Sequence, residues 1–155
     1  VADMEEALVV LAEAGLPVQP TWVPFTPWTS LDDYVAMLAW IRAQGLITNV
    51  PGVQLCIRLL VPPESALIDH SDVVDWLGPL DAANFTYQWQ HPDPRMDALQ
   101  TQIAALAELA GSDPLANFAA VERLAYQVAG RPAPFWLPME IVQPVPPRLT
   151  EDWFC

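Results

Sequence analysis

VQLCIRLLV, residues 53–61, lies between Pro51-Gly52 and Pro62-Pro63. A nearly continuous apolar run stopped by prolines reads as a strand covered on both faces, as in parallel sheets. Alternation along it places Gln54, Cys56 and Arg58 on one face and Val53, Leu55, Ile57 and Leu59 on the other. An arginine in such a run is costly unless it is paired or faces a polar cavity.

Upstream, the signals alternate between helix and strand. SLDDYVAMLAWIRAQG, residues 30–45, pairs Ser30 with Asp33 as a capping box and carries apolar positions 31, 34, 35, 38 and 41 on one face. Gly45 ends it. VQPTWVPF at 18–25 is rich in Val, Thr and aromatics and reads as a strand, although Pro20 and Pro24 each remove a ladder donor. MEEALVVLAEAG at 4–15 is a helix closed by Gly15. Helix, strand, helix, strand is the grammar of a parallel α/β unit. Two parallel strands do not stand alone. The expected class is therefore α/β: a partial (βα) barrel fragment with two parallel strands, followed by an α-helical C-terminal extension, its earlier strands lying upstream of Val1.

Downstream, SDVVDWL at 71–77 reads as a short helix and FTYQW at 85–89 as extended chain. Asp93-Pro94 opens a helix with Met96, Leu99, Ile103 and Leu106 on its buried stripe. Asp113-Pro114 repeats the signal for a helix bearing Phe118, Val121, Leu124, Ala125 and Val128 and ending at Gly130. The GSD between them makes the pair an antiparallel hairpin. From Arg131 on, prolines and aromatics exclude a regular helix and suggest a tail laid on apolar surface. The expected divisions are 1–68 for the βα units, 69–130 for the helical extension and 131–155 for the tail.

Composition narrows the partners. Nineteen acids face six basic residues, all arginine, for a net charge of −13 over 155 residues. That balance argues against nucleic acid and against anionic membrane surfaces. No apolar run reaches membrane-spanning length, and Asp3, Glu5 and Glu6 replace the basic region of a signal peptide. The expected compartment is the cytoplasm. Charged residues make up only 16% of the chain, below the usual quarter, so some apolar surface is expected to meet more protein.

Catalytic motifs are sparse. Cys56 and Cys155 are too far apart for metal-ligand spacing or a disulfide scaffold, and Cys56 reads as a buried small hydrophobe. IDHSDVVD at 68–75 reads as a helix start with solvated acids, and His91 as a hydrogen-bonded loop residue. No glycine-rich phosphate loop and no self-sufficient active site emerge, and no metal ligands are assigned. Ligands of parallel α/β barrels bind at the carboxyl ends of the strands. Arg58 and Gln54, with Gln19 and Thr21 from the first strand, would face that cavity. An ion pair between Arg58 and a nearby acid has equal standing.

PTWVPFTPWTSLDDY at 20–34 and QLCIRLLVPPESALI at 54–68 resemble late strands of the radical S-adenosylmethionine superfamily. There a strand runs into a Gly-x-Pro-Gly-Glu-Thr-like turn, whose place is taken here by Phe25-Thr26-Pro27-Trp28-Thr29-Ser30. Pro63-Glu64-Ser65 is similar to the Pro-Gly-Thr that closes the next strand. With WQHPDPRMDALQ at 89–100 and the terminal LTEDWFC, the chain resembles one branch, the radical S-adenosylmethionine proteins with a CUAEP or CCAEP tail.

The resemblance implies a parent enzyme in which a reduced 4Fe–4S cluster cleaves S-adenosylmethionine and the adenosyl radical abstracts hydrogen from a substrate. Cobalamin is a further cofactor open to such a parent. The Cys-x-x-x-Cys-x-x-Cys that holds the cluster belongs upstream, so this chain alone is expected to hold no cofactor and to be inactive. Thr21, Gln54 and Arg58 become cofactor-site candidates, and Cys155 the first sulfur of a redox tail. The native codon after Cys155 is expected to be UGA for selenocysteine, followed by Ala, Glu and Pro. The implied partner is the missing N-terminal part. Open strand edges and apolar faces further suggest a homo-oligomer. The rival expectation is an acidic helical interaction domain with no chemistry.

Overall fold

The computed structural model describes residues 2–109, 113–135 and 143–147. Its elements are helices α1 (Ala2–Glu13), α2 (Leu31–Ala43), α3 (Val73–Trp76), α4 (Pro94–Leu109) and α5 (Pro114–Val128), with strands β1 (Leu77–Asp81) and β2 (Thr86–Trp89). Short 3-10 turns occupy Ile47–Asn49, Gly52–Leu55 and Ala66–Asp69.

Helix α2 begins where local chemistry dictates. The Ser30 hydroxyl accepts from the Asp33 amide at 3.1 Å, and the Asp33 carboxylate accepts from the Ser30 amide at 3.0 Å. This reciprocal bonding satisfies two amide donors that the first helical turn leaves free. The helix ends as Gly45 takes a left-handed φ of +68°. Between these stops Leu31, Tyr34, Val35, Leu38 and Ile41 are buried. Each such side chain contributes about 1.5–3 kcal/mol by leaving water.

Helix α5 packs against both α2 and α4. It starts on Asp113, whose carboxylate accepts from the Leu115 amide at 2.9 Å, with Pro114 at the first position. Phe118, Val121 and Ala125 face inward, and Met96, Leu99 and Ile103 meet them from α4. Leu106, Leu124 and Val128 lie at the margin of this core, half-buried. The core also holds one charge pair: Glu122 of α5, 1% exposed, is bridged by Arg42 of α2. Burial lowers the Arg42 pKa. The turn at Gly52–Leu55 lies on α4 and α5, and a Cβ at Gly52 would meet the Asn117 amide at 2.2 Å. A larger residue there would have to push the Asn117 side chain aside.

The expected partial barrel with two parallel strands is not what forms. The only sheet among the described residues is the antiparallel hairpin of β1 and β2. Segments 18–25 and 53–61 meet at a single parallel bridge, Phe25 with Arg58, closed by Phe25 N–H to Ile57 O at 3.2 Å and Leu59 N–H to Phe25 O at 2.8 Å. The pairing cannot extend. Pro20 and Pro24 lack donors, and residues 52–55 coil into a 3-10 turn that turns Leu55 and Cys56 into the helical core. The molecule is mainly helical.

The hairpin was hidden in the sequence. SDVVDWL yields only four residues of helix, after which the chain straightens into LGPLD. Gly78 and Pro79 fall where the register shifts between Leu77 and Leu80, a bulge that accommodates a proline without a ladder donor. Of FTYQW, Thr86–Trp89 are extended and supply β2, while Phe85 belongs to the turn with a φ of +53°. Val61, Trp76 and Trp89 form a second, smaller core under this hairpin.

The main core draws on residues from Leu8 to Ala125. Asn49, 1% exposed, adds a polar clasp: its side-chain N–H groups reach Val18 O and Pro144 O, each at 2.8 Å. Gln143 N–H meets Gly45 O at 3.3 Å beside it. Of the tail expected over 131–155, residues 131–135 and 143–147 lie within the described residues.

Candidate functional site

A cleft of about 660 Å³ opens between the Arg58–Leu60 segment and the hairpin. Its walls carry Trp76, Tyr87 and Trp89, with Asp75, Gln88 and Gln90 supplying polar groups. Tyr87 N–H bonds Val61 O at 2.7 Å, and the Trp89 indole N–H bonds Leu59 O at 2.8 Å. These bonds fix the segment to β2 as an irregular third edge. Trp76 Nε1 is buried without a hydrogen-bond partner among the described residues.

Arg58 lines the cleft with its guanidinium engaged on three sides. Its guanidinium donates to Asp97 Oδ1 at 2.5 Å and to Trp89 O at 2.6 Å, and lies 3.6 Å from the centre of the Trp89 ring. A planar cation held by a carboxylate, a carbonyl and an indole face is a structural keystone. Asp97 Oδ2 also accepts from the His91 amide at 3.0 Å. His91 in turn donates from Nε2 to Thr29 O at 3.0 Å, while its Nδ1 accepts from the Asp93 amide at 2.9 Å. Both ring nitrogens therefore serve the main chain, as expected for a loop histidine. Thr29, Arg58, His91 and Asp97 form one network that joins segments far apart in sequence.

A second cluster borders the first. Asp72 accepts from the Trp28 indole at 2.5 Å and pairs with His70. The Trp28 bond, and then that from His70, hold the Asp72 carboxyl below the usual carboxylate value. Trp28, Trp76 and Trp89 follow one another edge to face, at 5.5 and 6.3 Å between centres. The acids of IDHSDVVD are thus partly organised: Asp72 precedes α3, while Asp69 and Asp75 remain exposed.

The residues expected to line one ligand cavity are dispersed. Thr21 is exposed, Gln54 accepts from the Trp22 amide at 3.0 Å, and of these three only Arg58 lines the cleft. Cys155 lies outside the described residues. Cys56 is buried and donates to Val53 O at 3.2 Å. Among the described residues no group of three or more His, Cys, Asp or Glu could hold a metal, so they supply no ligand set for a 4Fe–4S cluster. None of their helices is long and apolar enough to cross a membrane. Sequence reasoning missed Asp97 and Trp89 as the partners of Arg58, and Trp76 as a cleft wall. DPRMD, FTYQW and SDVVDWL contained them but gave no sign of which strand or helix they would meet.

No protein-family model, no curated protein and no solved structure matches this chain.

Proposed function

We propose that the chain is the C-terminal region of a radical S-adenosylmethionine enzyme, a mainly helical unit that is inactive alone and works beside the upstream catalytic part of its parent. The reading rests on the resemblance of 20–34, 54–68, 89–100 and 149–155 to the branch with a CUAEP or CCAEP tail. One structural observation supports it most. Glu64 has a φ of +68°, in the left-handed region that favours glycine, and Pro63-Glu64-Ser65 is similar to the Pro-Gly-Thr of the superfamily. Backbone geometry that outlasts a change of residue is what descent from a glycine turn would leave.

The unit's own residues would contribute position rather than chemistry. Arg58, Asp97 and His91 bind the turn at Thr29 to α4, and the cleft beside them offers aromatic walls to a substrate or to the parent's catalytic part. Cys155 would supply a sulfur for redox exchange. S-adenosylmethionine, a 4Fe–4S cluster and, as an option, cobalamin would belong to the upstream part.

The rival, an acidic helical interaction domain, draws on one observation: Arg58 is paired with an acid, Asp97, although it still lines the cleft. Reading the genomic locus separates the two. The proposal expects an in-frame Cys-x-x-x-Cys-x-x-Cys upstream and, after Cys155, UGA or a Cys codon followed by Ala, Glu and Pro. An open reading frame with neither would overturn it.

A further inference from the structure

Helix α1 is poorly covered for so apolar an element. Only Leu8 is buried, while Met4, Val9 and Val10 are 41%, 57% and 57% exposed. Between α1 and α2 lies an open groove of about 430 Å³, walled by Met4, Trp22, Met37 and Trp40, with Ala36 and Asp33 at its side. Trp22 and Trp40 meet edge to face at 5.7 Å. Apolar surface of this kind, rimmed by polar residues, marks a place where another chain lies.

The rim is mainly acidic, with Asp32 paired to Arg131 at 2.7 Å at its edge. Asp3, Glu5 and Glu6 stand on the first turns of α1, and Asp32 and Asp33 on the first turn of α2. Hydrogen bonds from Ser30 hold the Asp33 carboxyl below its usual value, keeping it negative at neutral pH. Glu5 spans the two helices, accepting from the Trp40 indole at 3.2 Å and from Gln44 at 3.4 Å. Among the described residues, Asp3, Glu5 and Glu6 form no ion pair. The only arginine of α2, Arg42, is turned toward Glu122 in the core.

We propose that this groove docks a cationic amphipathic helix of a partner protein. Apolar side chains repeating at i, i+3, i+4 and i+7 would enter between the two helices, and lysines or arginines flanking them would meet the acidic rim. Methionines on both walls suit such a site, because an unbranched thioether adapts to the side chains it receives. A second copy of this chain is the wrong occupant: it would bring the same acids to the same rim, under a net charge of −13 on each copy. The inference is independent of the proposed function.

The test uses a fluorescein-labelled peptide of about 16 residues, long enough for a helix, with leucines on one face and lysines on the other. The comparison peptide has the same composition in scrambled order. Anisotropy should report micromolar binding of the amphipathic peptide and at least about tenfold weaker binding of the scrambled one. Met4→Glu decides the location, since it adds negative charge while spoiling the groove. Groove binding predicts about tenfold weaker affinity, whereas attraction to bulk charge predicts tighter. Met37→Glu gives the same readout from the other wall, and helical circular dichroism checks that both variants fold. Equal binding of the two peptides, or tighter binding by Met4→Glu, would overturn the proposal. So would sedimentation of a dimer that Met4→Glu dissociates, because the groove would then belong to a second copy.

Discussion

The two cores of the molecule are built on different principles. The larger joins apolar faces of α2, α4 and α5, mostly aliphatic with Tyr34 and Phe118 among them, and encloses one charge pair, Arg42 with Glu122. The smaller is three residues, Val61, Trp76 and Trp89, held by indole and main-chain hydrogen bonds and by the guanidinium of Arg58. Packing of aliphatic side chains is non-directional and tolerates adjustment; indole N–H bonds and a stacked arginine demand orientation. The large core should therefore govern whether the chain folds. The small one should govern the shape of the cleft.

The contrast breaks first at the buried charge pair. Arg42→Met would take from Glu122 its cationic partner in the large core, and should cost about 3–5 kcal/mol in urea unfolding. Adding Glu122→Leu should recover most of that loss, because an apolar pair of similar volume needs no compensation. If Arg42→Met costs less than 1 kcal/mol, the pair does not sit in the low-dielectric interior that its burial implies.

In the small core, Trp89→Phe removes the indole donor to Leu59 O and weakens the platform under Arg58. The expected loss is about 1–3 kcal/mol, confined to the hairpin. Near-ultraviolet circular dichroism should fall while the helical signal stays. Equal loss of both signals would show that the two cores unfold as one and would erase the distinction.

A smaller effect sharpens it from the other side. Glu64→Gly relieves a left-handed backbone, and should stabilise by about 0.5–1 kcal/mol after the extra flexibility of glycine in the unfolded chain is subtracted. Hydrogen exchange should slow at Val61 and Tyr87, next to the turn, and stay unchanged in α5. A destabilised variant would contradict the strain.

The smallest effect is a pH response. The Asp72 carboxyl lies below its ordinary value because Trp28, and then His70, bond its charged form. Its contribution is complete above the unfolded value near 3.8 and is lost as pH falls through the lower folded value. Trp28 emission should change in that acid window while helicity persists. In Trp28→Ala, a helicity-neutral change followed through the remaining tryptophans should move to higher pH, since the main bond depressing Asp72 is gone.

Helix starts were legible because their signals are local. Ser30 with Asp33, Asp93 before Pro94 and Asp113 before Pro114 act within three residues of themselves. The stripe Met96, Leu99, Ile103 was equally plain. Strands were misread because a strand is defined by its neighbour. VQLCIRLLV has the composition of a central strand, but 18–25 offers prolines where a ladder needs donors, and β2 meets only its far end, at Leu59 and Val61. The opposite error hid LGPLD, whose Gly78-Pro79 looks like a break until the bulge is seen. For the site, the cost of an unpaired Arg58 was readable, and an ion pair stood as one of two outcomes. That its partners would be Asp97 and Trp89, 39 and 31 residues away, follows only from tertiary packing.

Asn49 carries a consequence for the order of folding. The two bonds its side chain donates span 31 and 95 residues, whereas the caps and turns around it close over three or four. Joining such distant segments takes loop-closure entropy that the helices have no need to overcome. The clasp to Pro144, which closes one of the longest loops, is expected to form late, so Asn49→Ala should speed unfolding and leave the folding rate unchanged. Bonds absent at the barrier leave the folding rate alone and slow only the return journey. One amide thus acts as a latch on the lifetime of the native state, setting how long the folded chain persists rather than how fast it is reached.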